Sequence, residues 1–199
     1  MNGQNRSAKG RGVATAIGLL MIAAILGAQQ AAMAGSIPLP KGQYSQTVSG
    51  SIALCLNPTT FAEEACNTTG VLVVPLTALS TGIVGYDKNA NSCVTVVEVD
   101  ANSPVDASPP FVTTDEHAVG TLKHYDSSTG VGDVLFTGYT GGSCNGASFD
   151  STGATEISSG TSHFVVSEQG KRIDFLITSL TNPSNALGDF SLSGVSRAQ

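Results

Sequence analysis

Three times along the chain an aromatic residue is followed by an aspartate and a short polar stretch. The segments are Tyr86-Asp87-Lys88-Asn89-Ala90, Tyr125-Asp126-Ser127-Ser128-Thr129-Gly130 and Phe149-Asp150-Ser151-Thr152-Gly153. An aspartate carboxylate accepts hydrogen bonds from the N–H groups that follow it, and glycine adopts left-handed backbone at no steric cost. Each segment therefore predicts a tight hairpin turn between two strands. Asn145-Gly146, beside Cys144, adds a fourth turn. Turns at this spacing, with no amphipathic helix between them, predict a meander of hairpins without crossover helices.

Between the turns the apolar residues recur every second position. Ile173, Phe175 and Ile177 alternate with Arg172, Asp174 and Thr178, which predicts one buried and one wet face. Phe164 and Val166 precede them across Gln169-Gly170, and Val134 with Phe136 and Phe190 with Leu192 keep the same spacing. Residues 43–56 read as a strand with Val48, Ile52 and Leu54 inward, and 71–77 as a shorter one. Pro75 marks that second strand as an edge or a bulge. Thr60-Phe61-Ala62-Glu63 fits a capping box and predicts one helical turn. With 23 Ser, 20 Thr and 23 Gly against 12% charged residues, the composition suits strands and turns and not a helical bundle. The expected fold is all-β: a small antiparallel meander barrel of eight to ten strands, with a sandwich as the alternative. A barrel removes exposed strand edges, which favours it.

The first 34 residues read as a secretory signal. Arg6, Lys9 and Arg11 form a basic start, residues 13–28 are apolar, and Ala32-Met33-Ala34 is a small-x-small cleavage site. Sixteen apolar residues fall short of the ~20 that span a bilayer, so cleavage is expected over anchoring. Residues 35–199 are then one mature domain, secreted or periplasmic, with no membrane span. All 15 acidic residues follow position 34 while three of the nine basic ones precede it, so the mature net charge is −9. Such a surface repels phosphate backbones and excludes nucleic acid as a natural partner.

Four cysteines in an oxidising compartment predict two disulfides. The spacing favours Cys55–Cys66 around a compact loop and Cys93–Cys144 around a long one. A zinc site is the rival reading, but the sequence contains no C-x-x-C pair. Residues 101–116 hold Pro104, Pro109 and Pro110 and no regular period. They read as a long loop whose Phe111 could lie as a lid contact over a barrel mouth, or as a rigid connector.

Few residues announce chemistry. Asp87, Asn89 and Asn91 with Glu98 occupy positions 1, 3, 5 and 12 of a calcium loop, but Ser92 stands where that loop needs glycine. Calcium is the one cofactor the sequence suggests, and a plain solvated turn is the competing expectation. His124 and His163 lie in expected strands and His117 follows the long loop. If two of them met an acid across a barrel, they could bind a metal or carry a proton. No G-x-S-x-G elbow is present, and no glycine-rich stretch precedes a helix and lysine in the manner of a phosphate cradle.

From about residue 120 to 194, three segments carry a resemblance: Gly142-Ser143-Cys144-Asn145-Gly146, Gly170-Lys171-Arg172-Ile173-Asp174-Phe175 and Gly188-Asp189-Phe190-Ser191-Leu192. The run resembles exported bacterial β proteins and is similar in style to calycin-like and allene-oxide-cyclase-like barrels. That resemblance implies a lumen for a small apolar ligand. The functional expectation is a non-catalytic ligand-binding barrel, with Phe111, His124, Val134, Phe136, His163, Phe164 and Phe175 around the ligand. The alternatives are a surface or matrix subunit that self-associates by strand pairing, and a barrel-type isomerase or cyclase.

Overall fold

The structure, a computed structural model, describes residues 35–102, 111–113 and 116–199. Eleven strands follow in order: β1 (Gly42–Leu56), β2 (Leu72–Tyr86), β3 (Ser92–Asn102), β4 (Phe111–Thr113), β5 (Glu116–Asp126), β6 (Val131–Thr140), β7 (Ser143–Asn145), β8 (Ser148–Asp150), β9 (Thr155–Ser167), β10 (Arg172–Thr181) and β11 (Leu187–Ala198). Residues Ile37–Gln199 form one compact unit.

Eight of these strands close into an antiparallel barrel, β1-β2-β3-β5-β6-β9-β10-β11. Every barrel strand pairs with the next one in the chain, and the circle shuts where β11 returns to β1, with Tyr44 opposite Ala198 and Val48 opposite Gly194. The expected meander barrel is therefore the fold, and the sandwich is not formed. Alternation puts even-numbered residues of β1 and β2 inward and their neighbours outward, as the burial along Tyr44 to Ser51 records. β4 lies along β3, with Phe111 opposite Ala101, so the long loop contains a short strand. Residues 103–110 and 114–115 lie outside the described set.

The aspartate turns form as the sequence predicts at two of three places. Asp87 turns β2 into β3, its Oδ1 accepting the N–H groups of Asn89 and Asn91, both at 2.8 Å. Asp126 turns β5 into β6, accepting from the N–H of Ser128 at 2.8 Å and its hydroxyl at 2.6 Å. Asp150 makes the same local turn with Thr152 but does not close a hairpin. Strand β8 pairs with β7, so this turn hands the chain from a two-stranded flap back to the barrel. The hydrogen bonds from Ser128 hold the Asp126 carboxyl below its usual range, and the Thr152 N–H does the same for Asp150. At Asp87 partial desolvation opposes the shift, and the bonds from Asn91 and Asn89 outweigh it.

Both expected disulfides are present, Cys55–Cys66 and Cys93–Cys144. The second ties the β7–β8 flap to β3 on the outside of the barrel. There Phe149 stacks on Tyr139 with ring centroids 4.8 Å apart and covers His117 at 6.1 Å. The helical turn expected at Thr60–Glu63 is absent. Phe61 takes a left-handed conformation, and Glu63 bridges to Leu56. The Glu63 carboxylate, which a capping box would use locally, instead accepts from Asn182 at 3.0 Å and Ser184 at 2.6 Å in the β10–β11 turn.

The tightest packing lies at the end of the barrel where β1 begins. Tyr44, Val84, Val94, Phe164, Val166 and Ile173 form a buried cluster there, joined by Ile37 and Tyr125. The segment leading into β1 closes this end. The Ile37 N–H donates to the Ser127 carbonyl at 2.7 Å, and the Tyr125 hydroxyl donates to the Ile37 carbonyl at 3.0 Å.

Candidate functional site

Above that floor the barrel encloses a cavity of about 300 Å³, to which all eight barrel strands contribute side chains. Its wall is aromatic on one side, with Phe136 from β6, Phe164 from β9 and Phe175 from β10. Val48, Ala78, Val94, Ala118, Ile177 and Leu192 supply most of the rest.

The space exists because large rings face glycines. Phe164 is opposite Gly132, Phe136 opposite Gly160 and Phe175 opposite Gly194 in the strand register. In each pair a Cβ on the glycine would collide with the ring, so the ring lies against the neighbouring strand's backbone and not across the lumen. The same residues with alanine at the three glycine positions would force the rings inward.

Few polar groups line the cavity. Ser80, Ser92, Ser158 and Ser162 contribute hydroxyls, and Glu116 a carboxylate. Gln46 lines it from β1, directly above a polar chain in the floor. The Ser196 hydroxyl, fully buried, donates to Gln46 Oε1 at 3.2 Å and lies near the Tyr86 hydroxyl. Burial pushes the Tyr86 phenol far above its usual value, so it remains neutral. Tyr44 meets the Tyr86 ring edge-on at 5.2 Å and gives its own hydroxyl proton to the Gly170 carbonyl.

Four residues expected around a ligand line this cavity: Val134, Phe136, Phe164 and Phe175. Phe111 pairs through its backbone with Ala101, and its side chain is outside the described set. His124 and His163 lie elsewhere. Strict alternation from Leu122 would turn His124 inward, but a bulge between Leu122 and His124 reverses the phase. Tyr125 then packs against the core and His124 is exposed. His163 precedes the inward Phe164 and so faces out.

The register sets both histidines beside Asp133 on the outer surface, one on each neighbouring strand. His163 Nδ1 is 2.8 Å from Asp133 Oδ1. Among the described residues no three His, Cys, Asp or Glu side chains converge to hold a metal ion. In the expected calcium set, the Asp87 carboxylate already serves the turn. Glu98 stands opposite Thr81, about 23 Å along the chain from Asn91 at ~3.3 Å per residue.

Gln46, Ser196 and Tyr86 were not expected at a site. The signal for Gln46 was its phase: it is a polar residue at an inward position, two before Val48. Nothing in the sequence brings Ser196, 150 residues away, beside it. Among the described residues no helix is long and apolar enough to cross a membrane. The two disulfides are compatible with an oxidising, exported compartment. No family model, no curated protein and no solved structure matches this chain.

Proposed function

We propose that the protein is an exported, non-catalytic barrel that holds one small apolar molecule in its lumen. The observation that carries this reading is the cavity of about 300 Å³ lined from all eight strands. That volume is at the lower end of ligand sites, which run from roughly 300 to 1,000 Å³. A space walled by phenylalanine, valine and leucine is poor for water, whose hydrogen bonds it cannot replace, and good for an apolar guest. Burying such a guest contributes on the order of 25 cal/mol per Å² of apolar surface. Calycin-like barrels, which the strand pattern resembles, enclose ligands of this kind. The lining favours binding over catalysis: among the described residues it offers hydroxyls, an amide and one carboxylate, and no histidine.

The test is equilibrium dialysis of the mature protein against fluorene, a flat neutral hydrocarbon. One saturable site is expected, lost in Ala118→Phe, which fills the lumen. Absence of saturable binding up to the solubility of fluorene, or binding indifferent to Ala118→Phe, overturns the reading. Native mass spectrometry of protein from its own host should add a single small mass that disappears on denaturation.

A second reading, self-association through strand pairing, has one observation in its favour. Strand β3 pairs with β2 only from Thr77 onward, so among the described residues Leu72–Leu76 pairs with β1 alone, with Leu72 and Val73 exposed. Pro75 lies in the middle of that edge and opposes extension of the ladder. An oligomer ladder in the native spectrum, in place of a bound small mass, would favour it.

A further inference from the structure

The hydrogen-bond chain in the floor gives the lumen a direction. Ser196 donates to Gln46 Oε1, and the protons left at the end of the chain are those of the Gln46 amide nitrogen. Ser196 is fully buried, and the register pairs it with Gln46 across β1 and β11, so the amide oxygen is turned to Ser196 and the nitrogen away from it. The lumen therefore carries the Gln46 amide donor at its lower end and an aromatic wall along one side. No lysine, arginine or histidine lines it among the described residues, so an anionic ligand would be buried there without a counter-charge.

We infer that the ligand is a neutral, flat, largely apolar molecule carrying an oxygen acceptor, such as a carbonyl, at the end that enters first. The acceptor meets the Gln46 amide, and the body lies against Phe136, Phe164 and Phe175. This inference rests on the lumen-binding reading above and adds polarity and orientation to it. Gln46 is a specificity-determining residue in this account: an acceptor-free ligand leaves its amide protons buried without a partner.

The experiment compares 9-fluorenone with fluorene, which share one shape and differ by a carbonyl oxygen, using equilibrium dialysis with the mature protein. The wild type is expected to bind fluorenone at least tenfold more tightly. In Gln46→Leu the preference falls to within twofold, while fluorene binding is retained. In Gln46→Glu, which keeps an oxygen for Ser196 and places a carboxylate before the ligand, fluorene becomes the tighter ligand. The glutamate variant carries the test if the leucine variant does not fold.

Equal affinities in the wild type, or a preference that survives in Gln46→Leu or Gln46→Glu, overturn the inference and leave lumen binding standing. Failure of both probes to bind the wild type overturns the lumen-binding reading itself, and the inference with it.

Discussion

Phe164 and Gly132 stand directly opposite each other on β9 and β6, and the Phe164 ring occupies the space that a side chain on Gly132 would need. Ring and backbone are thus a single packing unit, repeated at Phe136–Gly160 and Phe175–Gly194. Gly132→Ala is expected to destabilise by about 1–3 kcal/mol, the usual cost of overpacking. Tm falls by roughly 2–4 °C for each kcal/mol. The displaced ring also shrinks the lumen, so fluorene binding weakens. Phe164→Leu in the same chain restores part of the stability. Calorimetry of the two single variants and the double variant measures the coupling, and strict additivity would show that ring and glycine are independent.

The two disulfides should contribute unequally. Cys55–Cys66 closes a separation of 11 residues and Cys93–Cys144 one of 51. The loop-closure relation gives a little under ~3 kcal/mol for the first and about 4 kcal/mol for the second. Denaturant unfolding of the Cys55→Ala/Cys66→Ala and Cys93→Ala/Cys144→Ala proteins should show the latter to be the less stable. In the Cys93→Ala/Cys144→Ala protein the flap loses its covalent tie, so amides around His117 and Tyr139 should exchange faster with deuterium. Unchanged exchange there would mean that Phe149 packing alone holds the flap.

Acid should weaken the fold through its turns. Asp87, Asp126 and Asp150 all have carboxyls held below the usual range of about 3.9 by hydrogen bonds to the ionised form. A folded-state value below the unfolded one contributes stability that is present above the unfolded value and lost as pH falls through the folded one. Stability is therefore expected to be flat above about pH 5 and to decline below about pH 4. Asp126→Asn keeps an acceptor oxygen but not the titration. It should be less stable than wild type at neutral pH and converge with it in acid, as measured by urea unfolding at several pH values. A constant difference at every pH would assign the effect of Asp126 to geometry alone.

Glu63 joins the first disulfide loop to the β10–β11 turn. Asn182, only 8% exposed, gives its side-chain N–H to Glu63, while its Oδ1 accepts the Ala186 N–H. Glu63→Ala leaves that buried donor unsatisfied and should cost about 1–3 kcal/mol. Glu63→Gln retains an acceptor and should recover most of the loss. Chemical denaturation of the two variants checks the order, and equal destabilisation would mean that the charge and not the acceptor matters.

Much of the fold was legible in the sequence, because the relevant physics is local. Period-two alternation names the inward residues of a strand without reference to its partners, so Val134, Phe136, Phe164 and Phe175 were recognisable as lumen candidates. An aspartate turn is closed by hydrogen bonds within four residues, as at Asp87 and Asp126. Asp150 shows the limit of that argument: its turn forms, yet which strands flank it depends on the flap pairing with itself. The capping box failed for a related reason, since Glu63 has its partners in residues 182 and 184, far along the chain.

His124 is the clearest case of information absent from a single strand. One extra residue in β5 relative to β6 reverses its face, and a bulge is a property of the pair. The sequence by itself determined an all-β meander, most of its inward residues and the favoured cysteine pairs, since each follows from spacing along one chain. Only the tertiary structure decided that the sheet closes, that phenylalanines lie over glycines and leave a lumen, and that the Ser196 hydroxyl meets the Gln46 amide. Those outcomes depend on register between strands distant in sequence, where a shift of one residue exchanges every inward side chain for an outward one.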